Sequence, residues 1–460
     1  MQAIQPFHNP SSFSRRIIQQ HRDKIQSINL ERPFPIYCNY LSTSRPKTNS
    51  KMTVNTSESS ARGTDLSQGA SATNAAVTVP KSRWFIPKEM QNDMLNTGLS
   101  EEIRIEVLNT GWEYTRAVIP IWSNWARYLA FARILTAEFT CEFCGDLFRP
   151  EETDEMVGYN LQEQVDILFG GTPLHKEMER EIRSFFVSVS EKVSSAKDGS
   201  DLFRRHTNAL GHSAKDYYRL RDCDGTIRFT MAAALACNDI DMSKHWFNEE
   251  QVQLLAEICL GLYDSVAYFK HRAEGEISNF FAYVGGDMRL EMTHLYRELL
   301  WALEAAWATK PESTHVTNFM RQVGGTIHMT MRRYRFIEDG LTIGRPETAQ
   351  VVEGTRNNVN LWYRVEPNTK VIKADRYPGW VALKERFMFE GLAECLDRSE
   401  ADECPDCVRR DDYGAQDIYQ FGGVVLCAKC KQEWIDYVRC LPARAAKLFP
   451  ELKKLPEYWD

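Results

Sequence analysis

The stretch Tyr263–Asn279, YDSVAYFKHRAEGEISN, decides how this chain is read. Leu262, Val266, Phe269 and Ala273 recur at helical spacing with no proline, which predicts a helix. Tyr263, Ala267 and His271 stand at i, i+4 and i+8 and therefore share one face. Asp264 and Tyr268 flank that face, and Lys270 points nearby. Taken alone, the segment reads as a buried helix with a few satisfied polar groups. Outward from it the same periodicity repeats. Helical turns are expected at Glu101–Leu108 and Trp112–Val118, then helices at Trp122–Phe148, Val165–Phe186, Asp201–Leu210 and Asp216–Cys237. Glu249–Glu276, Leu290–Thr309 and His315–Ile337 follow. Strand signals are nearly absent before residue 400, so the fold class is all-α, a helical bundle around a central space.

The bulk numbers agree with that class and exclude others. Of 460 residues, 43% are apolar, enough for a large core. A net charge of -7, spread along the chain, disfavours a nucleic-acid partner. No apolar run reaches the ~20 residues of a membrane span. Twelve cysteines, four of them in a metal pattern, fit a reducing, cytoplasmic setting. Residues 1–81 are poor in aromatics and rich in Ser, Thr, Asn and Arg, and read as a disordered region. Their first fifty residues weakly resemble a transit peptide, but no clean amphipathic helix is visible; Met52 is an alternative start. An α-helical domain is expected over 82–398 and a small module over 399–460.

Several groups could carry chemistry. Glu138 and Glu142 lie four apart in an apolar helix, where two carboxylates are costly unless paired or metal-bound. Mg²⁺ takes such hard oxygen ligands; the alternative is a wet helix face. Cys141 and Cys144, in the same turn with no second pair nearby, read as packing. In the run RLRDCDG, Gly225 marks a break in a helical region after Arg221 and Asp224, and a salt-bridged helix end is the plain alternative. Arg332, Arg333 and Tyr334 offer a fork and a phenol suited to phosphate, or a solvated basic stripe. Cys404-Pro-Asp-Cys407 and Cys427-Ala-Lys-Cys430 are the most specific motif, with 19 residues between the pairs. Four thiolates close a zinc tetrahedron with no open position, so a structural site is expected; a docking module and disulfides are the alternatives.

The central helix resembles, in register, the second metal motif of class I terpene synthases. Asp264, Lys270, Gly275, Glu276 and Asn279 fit it, while its three ligand positions hold Tyr263, Ala267 and His271. Glu138 and Glu142 stand where that family has its first acidic motif. Arg221, Asp224 and Gly225 match its diphosphate-sensing arginine, linking acid and helix break, 42 residues before Tyr263 (263 minus 221). Arg333 and Tyr334 match its closing Arg-Tyr pair. Trp112, Tyr114, Trp122, Trp125, Phe229, Tyr263, Phe269 and Trp301 are candidates to line a cavity that stabilises carbocations. From Trp84 to Leu452 the chain is similar to the fungal α-ionylideneethane synthases of abscisic acid biosynthesis. WEYTR (112–116), GTPLHKEM (171–178), RDCD (221–224), ALACND (234–239), KHRAEGE (270–276) and IHMTMRRYRF (327–336) carry the resemblance.

That resemblance implies a class I terpene-synthase-like bundle with a four-cysteine zinc-binding appendage. It implies a carbon-oxygen lyase that ionises farnesyl diphosphate with Mg²⁺ and proceeds by proton loss, reprotonation and cyclisation to α-ionylideneethane or a close hydrocarbon. Downstream oxidases of the pathway are the expected partners. Glu138 and Glu142, with Asp264 assisting, are the expected Mg²⁺ side. Arg221, Lys270, Arg333 and Tyr334 would face the diphosphate, with Asp224 orienting Arg221. His271 or His328 would shuttle protons, since imidazole titrates near working pH, though a core histidine is an equal reading. The rival is a non-catalytic, zinc-bearing interaction protein on a decayed terpene-synthase scaffold, which the missing ligands favour.

Overall fold

The helix expected at the centre runs from Glu249 to Glu274, and both ends are written in the sequence. Asn248 and Gln251 form a capping box: Asn248 Oδ1 accepts from the Gln251 N–H at 3.0 Å and Gln251 Oε1 from the Asn248 N–H at 3.1 Å. Gly275 ends the helix at φ +69°, a conformation glycine adopts without Cβ strain. The Gly275 and Glu276 N–H groups return to the Arg272 and His271 carbonyls at 3.1 and 2.9 Å. This is also the one helix among the described residues long and apolar enough to cross a membrane; 89% of its apolar window is buried in the protein, as the core helix of a bundle requires.

The computed structural model describes residues 86–193, 200–331, 346, 348–357, 376–409 and 419–454, with 334, 413, 415 and 417 singly. The principal helices are α1 Glu101–Val118, α2 Trp125–Phe143, α3 Leu161–Phe169, α4 His175–Val193, α5 Asp201–Leu210, α6 Ala214–Asp224, α7 Ile227–Ala236 and α8, the central Glu249–Glu274. After it come α9 Arg289–Ala306, α10 Pro311–Arg321, α11 Leu392–Ala401 and α12 Ala428–Arg439. Among the described residues the only sheet is a two-stranded ribbon, Glu155–Met156 with Tyr159–Asn160, so the all-α reading holds. Helix α8 packs on α6, α7, α9 and α10.

The boundaries differ from expectation where local chemistry intervenes. The two turns expected before Pro120 are one helix, α1. Val165–Phe186 is split between α3 and α4, because Gly170-Gly171-Thr172-Pro173 interrupts it and Gly171 turns at φ +78°. Trp122–Phe148 shortens to α2, whose N-terminus Asn124 caps by accepting the Arg127 N–H at 3.2 Å. Beyond α10 the helical path passes through one wide π-type turn, Gln322–Thr326, before Ile327–Thr330.

The aromatic residues divide. Trp122 stacks on Tyr128 at 4.5 Å beside Trp112 and Trp125, at the N-terminal end of α2. That end lies about 20 Å along the helix from Glu138 at 1.5 Å per residue. Trp301 is 58% exposed on the outer face of α9, so it lines no interior space. The segment after 399 packs directly on the bundle. Trp434 of α12 is buried and stacks on Tyr283 and Phe280 at 4.8 and 5.6 Å. Tyr437 and Arg444 both bond the buried Glu257 of α8 at 2.6 Å.

Candidate active site

The break between α6 and α7 is held by a dense set of polar contacts. Helix α6 stops at Asp224, Gly225 follows, and Thr226 takes a left-handed φ of +47°. A non-glycine residue there is strained by about 1–3 kcal/mol and persists only where neighbours fix it. Asp222, fully buried, is one of them: it accepts the Arg228 N–H at 2.8 Å and its Nε at 2.6 Å. Arg228 then reaches Glu249 with both terminal nitrogens, at 2.8 and 3.0 Å. The break is thus tied to the start of the central helix.

Arg221 points from this break into the bundle. Its Nη1 donates to Asp224 Oδ2 at 2.5 Å and its Nη2 to Asp264 Oδ1 at 3.5 Å, while its guanidinium lies 5.7 Å from the Tyr263 ring centre. Burial alone would raise the Asp224 carboxyl, but Lys192 and Arg221 outweigh it and hold it at about 2. Asp264 faces inward and is fully buried. It accepts from Tyr217 Oη at 2.7 Å and from the Phe280 N–H at 2.8 Å besides Arg221. Burial pushes its carboxyl above the ordinary value against those partners. The acid expected to assist a metal therefore has its oxygens occupied by protein donors.

The ligand face of the motif is filled differently. Ala267 is fully buried. Tyr263, His271, His328 and Tyr334 cluster: the Tyr263 ring lies 4.6 Å from His328 and 5.8 Å from His271, and His328 lies 4.5 Å from Tyr334. Tyr263 and Tyr334 bring their hydroxyls to 3.4 Å. His271 Nδ1 lies 3.0 Å from Asn279 Nδ2, an amide donor, so Nδ1 serves as acceptor. Burial, then Lys270 and Arg221, push its pKa well below the ordinary value, so the ring is neutral. Lys270 Nζ donates to Glu274 at 2.8 Å. Arg333 lies outside the described residues.

Glu138 is buried near the end of α2, and Thr226 Oγ1 at the helix break donates to its Oε2 at 3.3 Å. Glu142, one turn on, is half-buried. Glu138 with its Thr226 hydroxyl, and Glu142 one turn along the same helix, are hard-oxygen groups of the kind that fits Mg²⁺, an ion often held by one or two carboxylates plus substrate phosphate. The central helix offers no comparable set. Cys141 and Cys144 are buried packing.

Lys192, His206 and Glu276 join this cluster. Lys192 Nζ stands 3.7 Å from both Asp224 and Glu276. His206 is buried against them, and desolvation pushes its pKa down to about 4. Glu276 was already visible in the motif tail. Lys192 and His206 sit in amphipathic helices with no motif around them, and only the fold brings them to the break.

The described residues contain a second site. The ligand atoms of Cys404, Cys407, Cys427 and Cys430 all lie within 4.8 Å of one another and could hold a metal ion such as zinc. Val408 and Val425 exchange two backbone hydrogen bonds at 2.9 Å, which closes the hairpin between the pairs. Cys427 caps α12 and Cys430 lies in its first turn.

The family description alpha-ionylideneethane synthase aba3 matches residues 82–451. The chain belongs to this family. It is 46% identical over 393 residues to alpha-ionylideneethane synthase aba3 of Botryotinia fuckeliana, a match covering 85% of this chain and 89% of that protein. It is 46% identical over 374 residues to alpha-ionylideneethane synthase abl3 of Leptosphaeria maculans, covering 81% and 87%. A third relative, abl3 of Pyricularia oryzae, is 40% identical over 432 residues, covering 80% and 83%. In this alpha-ionylideneethane synthase family member, the cluster at the α6–α7 break is the candidate centre. Among the described residues, six carboxylates (Glu138, Glu142, Asp224, Asp264, Glu274, Glu276) and three cations (Lys192, Arg221, Lys270) belong to this network or its immediate neighbours, Arg332 and Arg333 lying outside the described residues.

Proposed function

We propose that this chain is a sesquiterpene synthase that converts farnesyl diphosphate to α-ionylideneethane, or a closely related hydrocarbon, in abscisic acid biosynthesis. The observation that carries the reading is the Arg221–Asp224 pair at the helix break, aimed at Asp264 of the central helix. The allylic carbon–oxygen bond breaks and its electron pair leaves on the diphosphate. Proton loss gives a linear polyene, reprotonation restarts a cation, and ring closure with a second proton loss ends the sequence. The net change is loss of diphosphate and one proton.

Arg221 receives the leaving diphosphate as a fixed donor whose direction Asp224 and Asp264 set, which favours the transition state without reorganisation. Lys270, beside Glu274, adds a second cation. Glu138 and Glu142 would hold Mg²⁺, which when bound supplies charge neutralisation on the phosphate oxygens. Tyr334 would bond the diphosphate, and Arg333 takes the same role by resemblance. His271 is held neutral with Nδ1 accepting from Asn279, so its proton lies on Nε2 and the ring stands as a neutral hydrogen-bond donor; to shuttle a proton it would first have to release Nδ1 from Asn279. The rings of Tyr263 and Tyr334 meet edge to face at 6.5 Å and would offer π surface to a cation formed beside them. Zinc on the four cysteines would be structural.

The rival is a non-catalytic interaction protein. Its support is the ligand face of Tyr263, Ala267 and His271, which carries no carboxylate. Incubating the pure protein with farnesyl diphosphate and Mg²⁺ and analysing the hydrocarbons separates the two. A cyclic C15 hydrocarbon supports the synthase; unchanged substrate with zinc-bound, folded protein supports the rival.

A further inference from the structure

The ligand face of the central helix, Tyr263, Ala267 and His271, carries no carboxylate to hold a metal, and one cation outside every recognised motif stands at the break beside the end of that helix. Lys192 lies in the last turn of α4, and its Nζ stands 3.7 Å from Asp224 Oδ1 and 3.7 Å from Glu276 Oε2. Both distances exceed an N–H···O hydrogen bond, so the ammonium sits between two carboxylates without committing a donor to either. Asp224 meanwhile gives its other oxygen, Oδ2, to Arg221 at 2.5 Å. Glu142 also acts on Lys192 electrostatically, so carboxylates from α2, α6 and the tail of α8 surround one cation.

The side chain is also placed to meet a ligand. About a quarter of it is exposed, whereas the Arg221 and Asp224 side chains beside it are each 9% exposed. A lysine presents a compact charge with three rotatable donors and is a natural phosphate binder where no planar fork is required. We propose that Lys192 binds the departing diphosphate, supplying at the break a mobile cation that the ligand face of the central helix does not. It turns from Asp224 and Glu276 toward the phosphate oxygens when they arrive, while Arg221 stays tied to both its acids. This deepens the prenyl diphosphate reading and rests on it.

The test uses the full chain and inorganic pyrophosphate with Mg²⁺, measured by titration calorimetry. Lys192→Met should weaken pyrophosphate at least tenfold, and Lys192→Arg, which keeps the charge, should stay within a few-fold of wild type. Lys192→Met leaves Glu276 without its nearest cation, while Asp224 keeps Arg221, so the charge-matched pair Lys192→Met with Glu276→Gln is measured beside it. That pair should regain the wild-type melting temperature and still bind pyrophosphate weakly. Recovery of affinity in the pair overturns the proposal, because Lys192 would then only balance charge. Equal loss in Lys192→Arg and Lys192→Met overturns it too, because the charge would not be what binds. A wild-type chain that takes up no pyrophosphate overturns the diphosphate reading and Lys192 together, whereas uptake equal in wild type and both single variants overturns Lys192 alone.

Discussion

Replacing Asp264 by asparagine asks whether this acid serves a metal or the fold. In the structure its carboxylate accepts from Tyr217 at 2.7 Å, from the Phe280 N–H at 2.8 Å and from Arg221 at 3.5 Å, with no exposure. Removing one partner of a buried ion pair costs about 3–5 kcal/mol when the other is left bare. Two facts pull the figure to the low end. Arg221 keeps Asp224, its closer partner. Burial already raises the Asp264 carboxyl, so part of the cost of holding its charge is relieved by the substitution. The amide still offers one oxygen, but its NH₂ must face either the Phe280 N–H or Arg221. The expected loss is about 3 kcal/mol, read as a lower urea midpoint at unchanged slope. Turnover should fall with the aim of Arg221, while the Mg²⁺ concentration for half-maximal activity stays where it was. An Asp264→Asn protein as stable as wild type, with a raised Mg²⁺ requirement, would refute the reasoning and make Asp264 a metal ligand.

Glu138→Gln and Glu142→Gln should each cost about a hundredfold or more in Mg²⁺-dependent turnover, as loss of charge stabilisation at a reacting centre does; full activity in both would move the metal to the central helix. Cys427→Ser should release zinc and lower the melting temperature, since a closed zinc site contributes on the order of 10–16 kcal/mol to folding of its segment; a stable, metal-free variant would mean the four sulfurs bind nothing. His206 is held at about 4 in the folded protein against an ordinary 6.5, so the folded state binds fewer protons than the unfolded one between those values. Its contribution, about 3 kcal/mol, is present above pH 6.5 and is lost as pH falls toward 4, with buried His271 acting in the same direction. Urea midpoints from pH 7 to 4.5 should therefore drop in wild type and drop less in His206→Gln; equal wild-type stability across that range would exclude a buried neutral His206.

Element type was legible because it rests on local periodicity. The span of α8 follows from its apolar spacing, and its ends from Asn248, Gln251 and Gly275, all visible as residues. The splits were legible in part. Gly225 announced the break after α6, whereas Gly170–Pro173 was overridden by the apolar pattern on either side and hid the boundary between α3 and α4. Sites showed the same divide. Arg221 and Asp224 are three apart on one helix, so spacing alone predicts their contact, and they meet at 2.5 Å. Lys192 and Asp224 are 32 residues apart (224 minus 192) and meet only because α4 and α6 pack together, which no periodicity encodes. Asp264 points to a third limit. Its place in a metal motif was plain, but the donors that occupy it, Tyr217 and the Phe280 N–H, come from α6 and the turn after α8.

The cysteine loop and the candidate centre are joined by backbone. The Gly422 N–H bonds to both the Gly275 carbonyl at 3.2 Å and the Glu276 carbonyl at 3.0 Å. A Cβ at 422 would stand 2.5 Å from the Tyr413 carbonyl oxygen and 2.8 Å from that of Gly275, so only glycine allows the loop this close. Gly422 lies inside the stretch bounded by Cys407 and Cys427, so order imposed at the four sulfurs is imposed on Gly422 as well. Gly275 is the residue at which the central helix ends, and Glu276 is one of the two acids that hold Lys192. Farther along, Trp434 of α12 presses on Phe280, whose N–H fixes Asp264. Two separate paths thus run from the C-terminal segment to the charged cluster, one through a backbone clamp and one through a stacked ring. A site that must present few cations in fixed directions depends on such rigidity more than one that gathers several mobile ions, because preorganised charge acts only while its aim is kept.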